Sequence, residues 1–278
     1  MIIAIASGKG GTGKTTVAVS LAISIGKNVQ LVDCDVEEPN THIFIKPKIN
    51  KKENVSIKIP QVDLEKCNFC GKCSSVCAFN AIAVTPWSVS IFSELCHSCG
   101  ACIYFCPQNA ISEIDKPIGT IEIGERNELN FIQGKLNVGQ AMPTPIIKAV
   151  KKYIDCSKCA IIDAPPGTSC AMVHSVINSN YCILVTEPTP FGLNDLKLAV
   201  AVLIKLKIPF GVIINRCGLG NNEVEKYCQG RDIKVLMKIP FSREIAESYS
   251  FGKPLIESLP EYKEAFQKLF RMLESNYG

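Results

Sequence analysis

Residues 8–16 read Gly8-Lys9-Gly10-Gly11-Thr12-Gly13-Lys14-Thr15-Thr16, directly behind the apolar run Ile2-Ile3-Ala4-Ile5-Ala6. Two glycines bracket four residues and are followed by Lys and Thr, the pattern of a phosphate-binding loop. The pattern has a physical cause. Its glycines let backbone N–H groups turn inward around phosphate oxygens, Lys14 reaches the β- and γ-phosphates, and the Thr15 hydroxyl ligates Mg²⁺. Residues 16–25 carry apolar side chains at helical spacing, so the positive N-terminal end of a helix faces the anion. A glycine-rich turn with no ligand is the bland alternative; a strand before, a helix after and the Lys-Thr pair all weigh against it.

Composition bounds the rest. At 278 residues, 47% of them hydrophobic, the chain can hold one α/β domain and a small insert. The net charge is only +4, from 30 basic and 26 acidic residues with no basic block, so neither nucleic acid nor an anionic membrane surface is suggested. The N-terminus lacks a basic n-region and no apolar run reaches the ~20 residues of a membrane span, so a cytoplasmic protein is expected. Fifteen cysteines in such a chain point to metal ligands rather than disulfides.

Their spacing is specific. Cys67, Cys70, Cys73 and Cys77 follow a Cys-x2-Cys-x2-Cys-x3-Cys pattern, repeated 29 residues on by Cys96, Cys99, Cys102 and Cys106, and each run is trailed by Asn-Ala-Ile. This is the bacterial two-cluster ferredoxin run, in which the fourth cysteine of each run ligates the other cluster. The expected sets are Cys67, Cys70, Cys73 and Cys106 for one [4Fe–4S] cluster, and Cys77, Cys96, Cys99 and Cys102 for the second. Paired zinc sites would leave the third cysteine of each run and its x3 follower without a purpose. Ala78 stands where such runs carry proline, as Pro107 does in the second; His97, inside the second run, is taken as a bystander. Three segments follow: residues 1–59 and 117–278 form a phosphate-loop ATPase domain, and residues 60–116 are an insert crosslinked by clusters rather than by a large core.

Elsewhere the chain alternates strands and helices, which implies a doubly wound, mostly parallel sheet with its ligand at the C-terminal ends of the strands. A second strand ends in Asp33-Cys34-Asp35, carboxylates placed for Mg²⁺ and water. Two short strands at 118–123 and 129–131 flank a turn at 124–127, residues 134–140 read as loop, and a helix covers 144–153. The strand 160–162 ends in Asp163-Ala164-Pro165-Pro166-Gly167. Further strands are expected at 181–186, 210–214 and 234–237, helices at 192–207 and 222–229, and two helices close the chain. Asn215 ends a strand where its amide can meet a base; guanine would want an aspartate at position 218, which is glycine, so adenine is favoured.

Lys9, a lysine at the second position of the loop, makes the sequence resemble the deviant Walker A family, which includes MinD/ParA ATPases, Mrp-type iron–sulfur carriers and the nitrogenase iron protein. The resemblance implies that Lys9 crosses a dimer interface to the partner's nucleotide, that Asp35 aligns the attacking water, that Asp163 holds Mg²⁺ through water, and that Gly167 offers its N–H to the γ-phosphate. It implies slow, Mg²⁺-dependent ATP hydrolysis in a homodimer or a heterodimer with a paralogue. Cys156 and Cys159 could bridge a further cluster between subunits, as in Mrp-type carriers, though Cys159 is as readily a packed core thiol. Two functions stay open: ATP-driven electron transfer to a redox partner through the two clusters, and ATP-gated delivery of a cluster to an acceptor. Spatial positioning of the MinD kind ranks last, because the C-terminal segment lacks a basic membrane helix.

Overall fold

The computed structural model describes all residues, Met1–Gly278. Its strands are β1 (Ile2–Ala6), β2 (Val29–Asp33), β3 (Lys48–Val62), β4 (Ile82–Thr85), β5 (Ser88–Ile91), β6 (Ile111–Arg126), β7 (Leu129–Leu136), β8 (Cys159–Asp163), β9 (Tyr181–Thr186), β10 (Phe210–Cys217) and β11 (Val235–Pro240). The helices are α1 (Lys14–Ile25), α2 (Thr41–Ile45), α3 (Lys72–Ser75), α4 (Ala101–Tyr104), α5 (Thr144–Lys151), α6 (Cys170–Val176), α7 (Pro190–Leu206), α8 (Glu223–Gly230), α9 (Arg243–Ser250), α10 (Leu255–Ser258) and α11 (Glu261–Tyr277). Three helices therefore close the chain, not two.

The chain divides into two compact units. One comprises Met1–Glu53, Thr120–Leu136 and Pro143–Gly278; the other comprises Asn54–Gly119 with Asn137–Met142. Nine strands form one sheet in the order β11-β10-β9-β1-β8-β2-β7-β6-β3. Six neighbouring pairs, from β11 through to β7, run parallel. Strands buried on both faces need continuous apolar runs, and β1, β2, β8 and β9 supply them with almost no exposed residue. Helices α1 and α11 pack on this sheet around Ile3, Ile5, Leu21, Leu31, Phe131 and Phe266, all buried. The central register sets the site: Val29–Asp33 lies beside Cys159–Asp163, which brings Asp33 level with Asp163 at the strands' C-terminal ends.

Two glycines behave differently from their sequence reading. Gly124, expected in a turn, lies inside β6, where an added Cβ would stand 2.4 Å from the Lys48 carbonyl oxygen. The turn is instead Asn127-Glu128, with Asn127 at φ 54°. Gly134, expected to begin a loop, lies inside β7; a Cβ there would meet Val36, Ile146 and Val150 at 2.7–2.8 Å. Both are glycine because another chain segment passes too close for a side chain.

The second unit has little core of its own. Ile82, Cys102 and Ile111 are its buried centre, with partly buried Val62, Cys73, Cys77, Val84, Val89, Ile103 and Cys106 against them. β4 and β5 form an antiparallel hairpin. The 29-residue duplication is visible in the backbone: Phe69 and Ser98 sit at φ 55° and 54°, Gly71 and Gly100 both at 73°, Asn80 and Asn109 at 53° and 48°.

Candidate functional site

The loop between β1 and α1 wraps around the first turn of the helix. Lys14 is the first helical residue and is 6% exposed. Asn215, from the end of β10, donates its amide N–H to the Thr12 carbonyl at 2.8 Å and accepts the Arg216 backbone N–H at 2.9 Å. A side chain at position 13 would stand 2.3 Å from the Asn215 amide nitrogen, so glycine there lets the amide brace the loop. Asn215 thus holds the loop as well as lining the cavity beside it.

Three carboxylates stand at the ends of β2 and β8. Asp33 accepts the backbone N–H and the hydroxyl of Thr41 on Oδ2, at 3.1 and 2.6 Å, and the Asp35 N–H on Oδ1 at 3.0 Å. It is a structural brace for the turn that carries Asp35. Asp163 accepts the Thr15 hydroxyl on Oδ2 at 2.7 Å, while its Oδ1 is buried without a partner. An orphaned buried carboxylate oxygen beside a loop threonine fits a hydrated Mg²⁺ bound by that pair. Burial pushes the Asp35 carboxyl up to about 7, with Lys14 opposing and Asp33 reinforcing. Burial raises Asp163 as well, and the nearby Asp33 charge adds to it against Lys14 and the Thr15 hydrogen bond. Too much negative charge is concentrated here for one lysine to balance, which is the condition a divalent cation relieves.

Lys9 is ion-paired within its own chain. Glu187, just beyond β9, takes the Lys9 ammonium on Oε1 and the Arg216 guanidinium on Oε2 at 3.1 Å. Burial works to raise Glu187, but Lys9 and then Arg216 outweigh it and hold the carboxyl below its usual range. The Gly167 N–H donates to the Ser7 carbonyl at 2.9 Å rather than pointing free, so the expected contact with a γ-phosphate requires this bond to open.

A cavity of about 350 Å³ extends from the loop, bounded by Lys14, Asp35, Asn215, Phe241, Ser242 and Tyr249 among others. That is within the size range of small-molecule sites. Glu187, Arg216, Phe241 and Tyr249 were not singled out from sequence. Glu187 and Phe241 each directly follow a parallel strand, so the rule that ligands gather at the strands' C-terminal ends could have found them.

In the second unit, Cys67, Cys70, Cys73 and Cys106 line one small recess, and Cys77, Cys96, Cys99 and Cys102 line another. In both halves the thiol of the run's fourth cysteine accepts a backbone N–H at 3.3 Å: Ala81 to Cys77 and Ala110 to Cys106. Burial raises Cys73 and Cys102, and neighbouring thiols raise them further, Cys67 and Cys106 for the first, Cys96 and Cys99 for the second. No three His, Cys, Asp or Glu side chains converge on one point as a lone ion requires. Four thiols spread around a recess, with N–H donors aimed at sulfur, fit a four-iron cluster. Cys156 is exposed, whereas Cys159 packs against the main core and burial pushes its thiol up to about 11. The pair lies at the N-terminal end of β8, the opposite end from Asp163.

Residues 3–255 match the family described as the CobQ/CobB/MinD/ParA nucleotide binding domain, and the chain belongs to that family. An uncharacterized protein of Methanocaldococcus jannaschii is 32% identical over 265 residues, 92% of each chain. An iron–sulfur cluster carrier protein of Aquifex aeolicus is 25% identical over 297 residues, covering 98% of this chain and 66% of that one. The septum site-determining protein MinD of Pyrococcus horikoshii, solved with Mg-ADP, shares the fold with a TM-score of 0.58 at 22% identity over 96% of this chain and 93% of that one. The phosphate loop and the mostly parallel sheet are thus those of a P-loop nucleotide-binding domain. No helix is long and apolar enough to cross a membrane.

Proposed function

We propose that this chain is an ATP-hydrolysing iron–sulfur protein in which the nucleotide state of a dimeric P-loop domain governs electron transfer through a two-[4Fe–4S] ferredoxin insert. The observation that carries it is the pairing of two four-thiol recesses in one unit with a loop-and-aspartate site in the other. Held by Cys67, Cys70, Cys73 and Cys106 on one side and Cys77, Cys96, Cys99 and Cys102 on the other, the clusters supply one-electron chemistry.

On the nucleotide side, Lys14 neutralises the β- and γ-phosphates, Thr15 and Asp163 hold Mg²⁺, and Asp35 positions the attacking water. Closure of a dimer draws Lys9 away from Glu187 to the nucleotide of the second protomer. Movement of the Gly167 segment off Ser7 lets the γ-phosphate be sensed. The redox partner docks on the insert.

The test is an anaerobic redox titration followed by electron paramagnetic resonance, with and without Mg·ATP. A nucleotide-dependent shift in potential or line shape supports the coupling. Two unshifted clusters in a protein that still hydrolyses ATP would sink it and favour the second reading, ATP-gated cluster delivery to an acceptor. That second reading rests on the relatives named iron–sulfur cluster carrier proteins and on Cys156 with Cys159.

A further inference from the structure

The two recesses are built from one duplicated sequence, so any difference between them is a departure from symmetry. At the mouth of the recess with Cys77, Cys96, Cys99 and Cys102, the Phe79 and His97 rings stack at 3.8 Å between centroids and 13° between planes. Twenty-nine residues away in register, the same two positions are Gln108 and Asn68, and both line the other recess. One site is capped by stacked rings; its twin is capped by two carboxamides.

Burial and charge differ in the same sense. Cys96 and Cys102 are 8% and 9% exposed, while none of Cys67, Cys70, Cys73 and Cys106 is buried. Lys72 lines the Cys67 recess and makes no ion pair within 4.0 Å. Lys58 and Glu113 line the Cys96 recess, and the Lys58 ammonium is already paired to Asp115 at 2.9 Å, which leaves the Glu113 charge uncompensated. Two features oppose this trend: Asn68 Oδ1 accepts the Cys70 N–H at 3.3 Å and so withholds it from sulfur, and Phe69 lines the Cys67 recess where its counterpart in the other is Ser98. One hydrogen bond and one ring stand against burial, the stacked ring pair and charge.

Reduction adds a negative charge to a site already ringed by four thiolates. Solvent, dipoles and a nearby ammonium stabilise that added charge; aromatic capping, burial and a carboxylate disfavour it. We infer that the two sites are redox-inequivalent: the Cys67, Cys70, Cys73 and Cys106 site has the higher potential and keeps the first electron, and the Phe79–His97-capped site has the lower. The step is a one-electron reduction in which no bond forms or breaks, and an external low-potential one-electron donor supplies the electron. The inference rests on the cluster-binding reading proposed above.

The anaerobically reconstituted full-length protein is titrated with dithionite and followed by electron paramagnetic resonance, alongside iron analysis. About eight irons per chain and two separable reduction waves are expected, with the first electron favouring one site at least tenfold, or about 59 mV for a one-electron couple. Phe79→Gln combined with His97→Asn, which copies the twin site, should raise the lower wave toward the upper and leave the upper in place. Lys72→Gln, an exposed change that spares the fold, should lower the upper wave alone. A single unsplit wave, or substitutions that move the opposite wave, overturns the inequivalence while eight irons keep the cluster reading intact. Fewer than eight irons in the unsubstituted protein defeats the cluster reading itself.

Discussion

The two units solve the problem of positioning a site in opposite ways. In the P-loop unit, a core running from Ile3 to Leu273 holds strands β2 and β8 in register, and Asp33, Asp35 and Asp163 meet because the sheet makes them meet. In the cysteine-rich unit three buried residues form the centre, Cys102 among them, and the thiols of Cys73, Cys77 and Cys106 are among the groups packed against it. A large core can carry an empty site, even one crowded with carboxylates. A small one gains more from a filled site, because in a small unit apolar burial offsets chain entropy only marginally.

That contrast can be broken at its strongest point by removing metal. Iron chelation, or Cys67→Ser with Cys96→Ser, should open Asn54–Gly119 to proteolysis while the P-loop unit still binds nucleotide; protection of the cysteine-rich unit without iron would show that its core suffices. Lys14→Ala tests the other side. It should weaken nucleotide binding by on the order of 100-fold, from loss of a charge-assisted contact, and leave iron content unchanged. Loss of iron in that variant would mean that the two units do not fold independently.

Gly134→Ala probes the core that holds the aspartates. The new methyl meets Val36, Ile146 and Val150, and a destabilisation of about 1–3 kcal/mol in urea is expected, with iron content unaffected. The aspartates themselves carry a pH signature. Burial lifts Asp163 above its ordinary 3.8, so folding takes up a proton; that stabilisation is complete below the unfolded pKa and is lost as pH rises through the folded one. Asp163→Asn should therefore raise the Tm of the nucleotide-free protein by a few degrees at about pH 8, with the gap narrowing as pH falls and closing only below about pH 4. A gap that does not change with pH would remove the carboxylate crowding from the account. The smallest effect is expected from Cys156→Ser with Cys159→Ser, which should leave about eight irons per chain; a drop would bring that pair into the metal chemistry.

Residues 8–16 and the two cysteine runs were legible because their chemistry is local: a few consecutive positions close a loop around an anion or a recess. Glu187 was not, because what makes it matter is the arrival of Lys9 and Arg216 from distant parts of the chain. Gly124 and Gly134 misled for a related reason. Glycine marks a turn when the backbone needs its freedom, but here it marks the passage of Lys48 past Gly124 and of Val36 and helix α5 past Gly134. Asp33 and Asp35 look alike as sequence, yet Thr41 claims the first and leaves the second facing Lys14.

By itself the sequence determined the phosphate loop, the parallel α/β class and the two cysteine sets, because spacing along the chain is what those features consist of. Only the tertiary structure decided that Lys9 is held by Glu187, that Asn215 braces the loop, and that one cysteine recess is capped by rings and its twin by amides. These depend on which surfaces meet after folding, and packing between distant segments leaves no periodic trace in the chain that forms it.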